Sequence, residues 1–148
     1  MAVTAYWYSH VPLHAFNKEI DYDDGNLKVA LMNGGSLGQN TYEVFSHVNG
    51  YEISGAGYVA GGKALTDPRL LFENEAQPLI KFRADDIQWN SASFTAHWAV
   101  VYYNTGVPAT SPLLFAINFG QDIEVRTGTF KIAWADGLEV IGRVLYPA

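Results

Sequence analysis

Phe94-Thr95-Ala96-His97-Trp98-Ala99-Val100-Val101-Tyr102-Tyr103 is the stretch that most restricts how this chain can fold. In a strand, successive side chains point to opposite faces. That alternation puts Phe94, Ala96, Trp98, Val100 and Tyr102 on one side and Thr95, His97, Ala99, Val101 and Tyr103 on the other. Both sides are apolar enough for burial, so the segment predicts a central strand covered on each face. Similar but shorter runs surround it, and 14 glycines punctuate them. Helix periodicity is scarce. Short apolar runs with frequent turn signals predict an all-β, mainly antiparallel fold, a β-sandwich or jelly-roll-like single domain with one or two short helices.

Read in order, the elements begin with a strand over Val3-Thr4-Ala5-Tyr6-Trp7-Tyr8 and a short helix from Pro12 carrying Leu13 and Phe16, since proline suits a first helical turn. Asp21 to Asn26 reads as a turn. Leu27 to Met32 follows as a half-buried strand with Leu27, Val29 and Leu31 on its inner face. Thr41 is placed to cap a helical turn over Tyr42-Glu43-Val44-Phe45. Glycines at 50, 55, 57, 61 and 62 predict loop with brief strands. Strands are expected over Lys63–Thr66 and Leu79–Arg83, separated by a loop bearing Pro68 and Pro78, with Ala84–Trp89 as a polar corner. After Tyr103 come three more, over Leu113–Phe119, Thr129–Trp134 and Val140–Tyr146.

The 148 residues suit one domain, residues 1–148, which can bury about 70% of its unfolded surface and needs no metal or disulfide to hold a core. Nine Lys and Arg against fifteen Asp and Glu leave a net charge of −6, which argues against binding nucleic acid or anionic membrane. With no cysteine, thiolate metal sites and cysteine nucleophiles are excluded. The N-terminus lacks a basic n-region and no apolar run approaches a membrane span, so a soluble chain without a secretory address is expected. Charged residues make up only 16%, against about 25% in ordinary soluble domains. Interface cores are poor in charge and rich in aromatics, so part of this surface is expected to be covered by partner subunits; a sandwich with two buried inner faces would also use many aromatics.

No constellation compels chemistry. Asp21, Asp23 and Asp24 precede Gly25, but a calcium loop of EF-hand type needs an acid where Gly25 stands and a glutamate where Met32 stands. His10 and His14 have the spacing of two ligands on one helix face. The zinc motif built on that spacing needs a glutamate where Val11 stands, and Pro12 interrupts a helix between the two, so both read as surface or interface histidines. Gly34-Gly35-Ser36-Leu37-Gly38 lacks a P-loop ending, and no nucleophile elbow surrounds Ser54, although His47 could be paired with it on paper. Asp85 and Asp86 are adjacent and would point to opposite faces of a strand. His97 reads as packed or hydrogen-bonded within the sheet. No catalytic residue, metal or cofactor is therefore expected. The residues singled out are Tyr6, Trp7, Tyr8 and His10, expected to form a partner contact within an N-terminal docking segment, residues 1–12. Their replacement by alanine should weaken partner binding and spare the fold.

Longer runs also carry a resemblance. Ala15-Phe16-Asn17-Lys18-Glu19-Ile20-Asp21, Leu27-Lys28-Val29-Ala30-Leu31 and Glu52-Ile53-Ser54-Gly55-Ala56-Gly57-Tyr58-Val59-Ala60-Gly61-Gly62-Lys63-Ala64-Leu65 occur in that order. They are followed by Phe82 to Trp89, Phe94 to Tyr102, Ser111-Pro112-Leu113-Leu114 and Gly128 to Trp134. Together, from Ala15 to Gly137, they resemble a family of small virion structural proteins of tailed bacteriophages. The resemblance implies a non-enzymatic, β-rich module located in the virion, a head decoration or cement protein that binds the major capsid protein and neighbouring virion proteins. It supplies no catalytic residue. A homo-oligomer is expected because decoration sites repeat with capsid symmetry. A tail- or head-fibre-associated module contacting the host surface, through exposed Trp and Tyr stacking on glycans, is the alternative. A cell-wall glycosidase would need two converging carboxylates that no spacing here supplies.

Overall fold

Two long neighbouring strands form the centre of the fold in a computed structural model, which describes residues 4–38, 41–73, 79–133 and 138–139. In chain order the strands are β1 (Thr4–Trp7), β2 (Leu27–Met32), β3 (Lys63–Ala64), β4 (Arg69–Glu73), β5 (Leu79–Arg83), β6 (Ile87–Tyr103), β7 (Leu113–Ile132) and β8 (Leu138–Glu139). One helix, α1, spans Val11–Phe16. Short 3-10 turns lie at Phe45–His47, Asn49–Tyr51 and Pro108–Thr110. The fold is all-β, and every strand pairing among the described residues is antiparallel. A five-stranded sheet has the order β1-β7-β6-β2-β3 and a three-stranded sheet the order β4-β5-β8.

The central position expected for Phe94–Tyr103 holds, since β6 lies between β2 and β7. The expected faces do not. Ala96 pairs with Ile123 but Trp98 pairs with Asn118, so His97 alone stands opposite Phe119, Gly120, Gln121 and Asp122. This irregularity shifts the alternation by one residue. Phe94 and Ala96 therefore share a buried cluster with Ala99 and Val101, whereas Trp98, Val100 and Tyr102 lie in a second cluster on the opposite face.

The first cluster joins Leu27, Val29 and Leu31 of β2 to Phe115 and Ile117 of β7 and to Phe82 of β5, so the small sheet packs on this side. Phe82 and Phe115 meet edge to face with ring centroids 5.3 Å apart. Both are fully buried, and each such side chain contributes about 1.5–3 kcal/mol. The second cluster holds Ala30, Met32, Tyr8, Leu37, Phe45 and Val48. Its cover comes from the segments around Leu37 and Phe45 rather than from another sheet. Tyr102 and Phe45 stack there, 3.9 Å apart with planes 10° from parallel. β2 is consequently buried on both faces, not half-buried as its alternation predicts, because Ala30 and Met32 are covered too.

Several boundaries differ from the sequence reading. Arg69–Glu73 is a strand, β4, paired with β5, where a loop is expected. The polar corner ends at Asp86, and Ile87 to Trp89 already belong to β6. Leu113–Phe119 and the segment beginning at Thr129 are one continuous strand, β7, whose middle is polar because it lies on an exposed stretch. The turn expected under a Thr41 cap forms instead at Phe45–His47, where His47 Nδ1 accepts the backbone N–H of Glu43 at 3.1 Å. The strand expected over Val140–Tyr146, and Trp134, lie outside the described residues.

Candidate partner-docking surface

β1 runs antiparallel to β7, with Tyr6 opposite Ala116 and Trp7 opposite Phe115, and it forms one end of the five-stranded sheet. The aromatic run Tyr6-Trp7-Tyr8 thus follows the sheet edge, where the Tyr8 N–H also donates to the Leu114 carbonyl at 3.0 Å. Trp7 turns to the first cluster, 4.6 Å from the Phe115 ring centroid and 6.5 Å from that of Phe82. Tyr8 turns to the second, only 2% exposed, and its hydroxyl donates to the Leu37 carbonyl at 2.5 Å. Burial first, and the neighbouring Tyr42 second, push that hydroxyl far above the ordinary tyrosine range. Of the three, only Tyr6 keeps an exposed face, at 39%. Tyr8 and most of Trp7 are core, so a triple alanine variant removes packing as well as surface and would not spare the fold.

His10 stands at the N-cap position of α1, without a side-chain capping bond, and Pro12 occupies the first turn, so the proline opens this helix instead of interrupting it. The consequence is that His10 and His14 come onto one side, with ring centroids 6.5 Å apart. His14 is buried, and its Nδ1 lies 2.7 Å from Glu19 Oε2 while its Nε2 lies 3.2 Å from Glu43 Oε1. These contacts fasten the inner side of α1 to the chain that follows it and to the segment before Phe45.

The outer side is different. Leu13 is 54% exposed and Phe16 86% exposed. Three residues apart on a helix, they lie on one face and form an apolar projection from the surface. The i, i+3 spacing was readable in the sequence, but a spacing marks a common face without saying which way the face turns. What turns it outward is His14, whose burial occupies the inward side.

The other groups weighed for chemistry are engaged structurally. Asp21 Oδ1 accepts the Asp23 N–H and Asp24 Oδ1 the Asn26 N–H, each at 3.0 Å, while the Tyr103 hydroxyl donates to Asp24 Oδ2. That phenol hydrogen bond is the largest influence holding the Asp24 carboxyl below its ordinary range. Asp85 faces Arg69 at 3.8 Å and Asp86 faces Lys131 at 3.3 Å, so the adjacent pair serves two different partners. Glu52 accepts the Tyr58 hydroxyl at 2.6 Å and the Gly61 N–H at 2.7 Å. His97 Nδ1 lies 2.8 Å from Asp122 Oδ1. Among the described residues no helix is long and apolar enough to cross a membrane.

Leu13 and Phe16 thus form an apolar projection on α1, while the histidines and carboxylates nearby tie neighbouring segments together. Comparisons with protein-family models, with curated proteins and with solved structures found no match.

Proposed function

We propose that this chain is a non-enzymatic structural protein of a tailed-phage virion, a decoration or cement module that binds the major capsid protein as a symmetric homo-oligomer. The observation that carries the reading is the Leu13–Phe16 projection on α1, set on a domain with only 16% charged residues. Burying an apolar side chain of this size contributes about 1.5–3 kcal/mol. A few such anchors per copy are enough when many copies bind at repeated positions. The sequence runs quoted for the phage family support the same reading, and Phe16 lies in the first of them.

A fibre-associated role that contacts host glycans is the second reading. It draws on Tyr6 and Tyr51, 39% and 38% exposed, whose rings lie against the backbone of Gly38 and Gly35. Rings held this way are preorganised for stacking.

Cryo-electron microscopy of purified virions tests both. Density for this chain on the icosahedral shell, with α1 against the capsid protein, is the expected result. Density confined to the tail or fibres would overturn the cement reading and favour the second.

A further inference from the structure

We propose that one end of the five-stranded sheet is a single docking surface, with Leu13, Phe16, Tyr22 and Val107 as apolar anchors beside an acidic rim, and that it takes a basic protein surface with an apolar recess. The topology gathers these residues. β1 and β2 lie on either side of the β7–β6 pair, so the chain joining them has to cross two strands. It crosses at the end where β6 stops at Tyr103 and β7 starts at Leu113: Trp7 pairs with Phe115 on the way in, and Leu27 pairs with Tyr103 on the way out. Val11 packs against the second cluster and Ile20 against the first, so the chain passes around that end from one face of the sheet to the other. The loop from Asn104 to Pro112 emerges at the same end, tied to the crossing by the Asn104 N–H on the Asn26 carbonyl at 2.8 Å. Of the seven large hydrophobic side chains exposed among the described residues, these four lie here. An apolar cluster of this kind marks an interaction site, whereas single exposed side chains do not.

The anchors are held in place before any partner arrives. Ser111, fully buried, donates through Oγ to the Val107 carbonyl at 2.8 Å and accepts the Thr105 N–H at 3.1 Å, so the loop that presents Val107 is braced from within. No charged residue occurs from Asn104 to Pro112. Preorganised side chains lose little freedom on binding. Charge identifies the partner. Elsewhere the carboxylates have cations beside them: Asp67 and Asp85 share Arg69, Asp86 faces Lys131 and Glu124 faces Arg126. Asp21, Asp23 and Asp24, exposed around Tyr22, pair with no Lys or Arg among the described residues. From Lys18 to Asn26 one lysine stands against four acids, Glu19 and these three. An acidic partner would be repelled by this rim, whereas a basic one is steered onto it and supplies the missing counter-charges. The inference rests on the reading of α1 as a docking face and adds the chemistry of the surface it meets.

The test follows nitrogen-15 spectra of the full chain during titration with a synthetic amphipathic helix of leucine and lysine, and with its leucine–glutamate counterpart. Saturable shifts confined to residues 11–26 and 104–112 are expected with the lysine peptide and none with the glutamate one. Affinity should fall at least about fivefold between about 0.05 and 0.5 M NaCl. Asp21→Asn, Asp23→Asn and Asp24→Asn combined should weaken binding about tenfold. Asparagine keeps the Oδ1 acceptors of this turn, and circular dichroism verifies that the fold is spared. Val107→Ser, remote in sequence from α1, should weaken binding about fivefold or more. No saturable binding, equal binding of the glutamate peptide, or shifts centred away from this end would each overturn the inference. Cosedimentation with capsids that lack this protein separates it from the capsid role. Peptide binding at this end without capsid binding would overturn the capsid role and leave the surface standing. Capsid binding retained in full by the triple asparagine variant would overturn the basic partner and leave the capsid role standing.

Discussion

Asp122 meets His97 at 2.8 Å where four residues of β7 stand opposite one of β6, so the pair closes the irregularity that inverts the faces of the central strand. The side chains are partly open to water, which limits what the ion pair contributes. Gly120, at φ +81, makes the turn of the bulge itself.

Asp122→Asn is therefore expected to cost less than about 1 kcal/mol, in keeping with exposed ion pairs. Gly120→Ala, which forces a side chain into left-handed backbone, should cost about 1–2 kcal/mol. Urea denaturation of both variants checks the order. A larger loss for Asp122→Asn would mean that the contact, not the backbone, sets the register.

Single alanine variants of the N-terminal aromatics should separate core from surface. Tyr8→Ala removes a buried ring and its bond to Leu37, an expected loss of about 3–5 kcal/mol, whereas Tyr6→Ala should cost markedly less. Equal losses in denaturant midpoint would contradict the assignment of Tyr8 to the second cluster.

Gly62 sits at φ +81 where a Cβ would lie 1.8 Å from the Val29 carbonyl oxygen. No side chain fits between this loop and β2, so Gly62→Ala should destabilise by about 3 kcal/mol or more. Gly25→Ala, at φ +85 with open space around it, should cost only about 1–2 kcal/mol. Thermal unfolding of the two variants distinguishes contact from backbone strain.

Alkaline pH should expose the buried phenols. Burial is the main reason that Tyr8, Tyr58 and Tyr102 ionise well above the ordinary value of 10.0; the Glu52 carboxylate adds to the shift of Tyr58 and Tyr102. A raised folded-state value favours the protonated, folded form. The associated stability is fully present below pH 10 and declines as pH rises above it. Tyrosinate absorbance should therefore appear in two phases, exposed tyrosines first and these three with unfolding. A single phase near pH 10 with the fold retained would contradict their burial.

Phe16→Ser and Leu13→Ser should leave stability within about 0.5 kcal/mol of the parent, since both side chains project from the surface. The same variants should lose binding to capsids that lack this protein. Cosedimentation with such particles measures it, and undiminished binding of the double variant would remove α1 from the proposed contact.

The all-β class, β2 over Leu27–Met32, β5 over Leu79–Arg83 and the central place of β6 were legible because alternation, glycine and proline act locally on the chain. The faces of β6 were not. Strict alternation puts Ala96 and Trp98 together, and only the pairing with β7 reveals that His97 sits opposite a bulge. The same limit applies to Tyr6-Trp7-Tyr8, whose composition suits an interface or a core equally well until Phe115, Leu37 and Trp98 are placed around it. His10 and His14 show it most directly. Their spacing was visible, but Glu43 reaches His14 from a separate segment, and that contact exists only once those segments pack. Sequence determined the local backbone preferences; tertiary contacts between distant residues decided which surfaces were buried, which were left exposed, and which donors met.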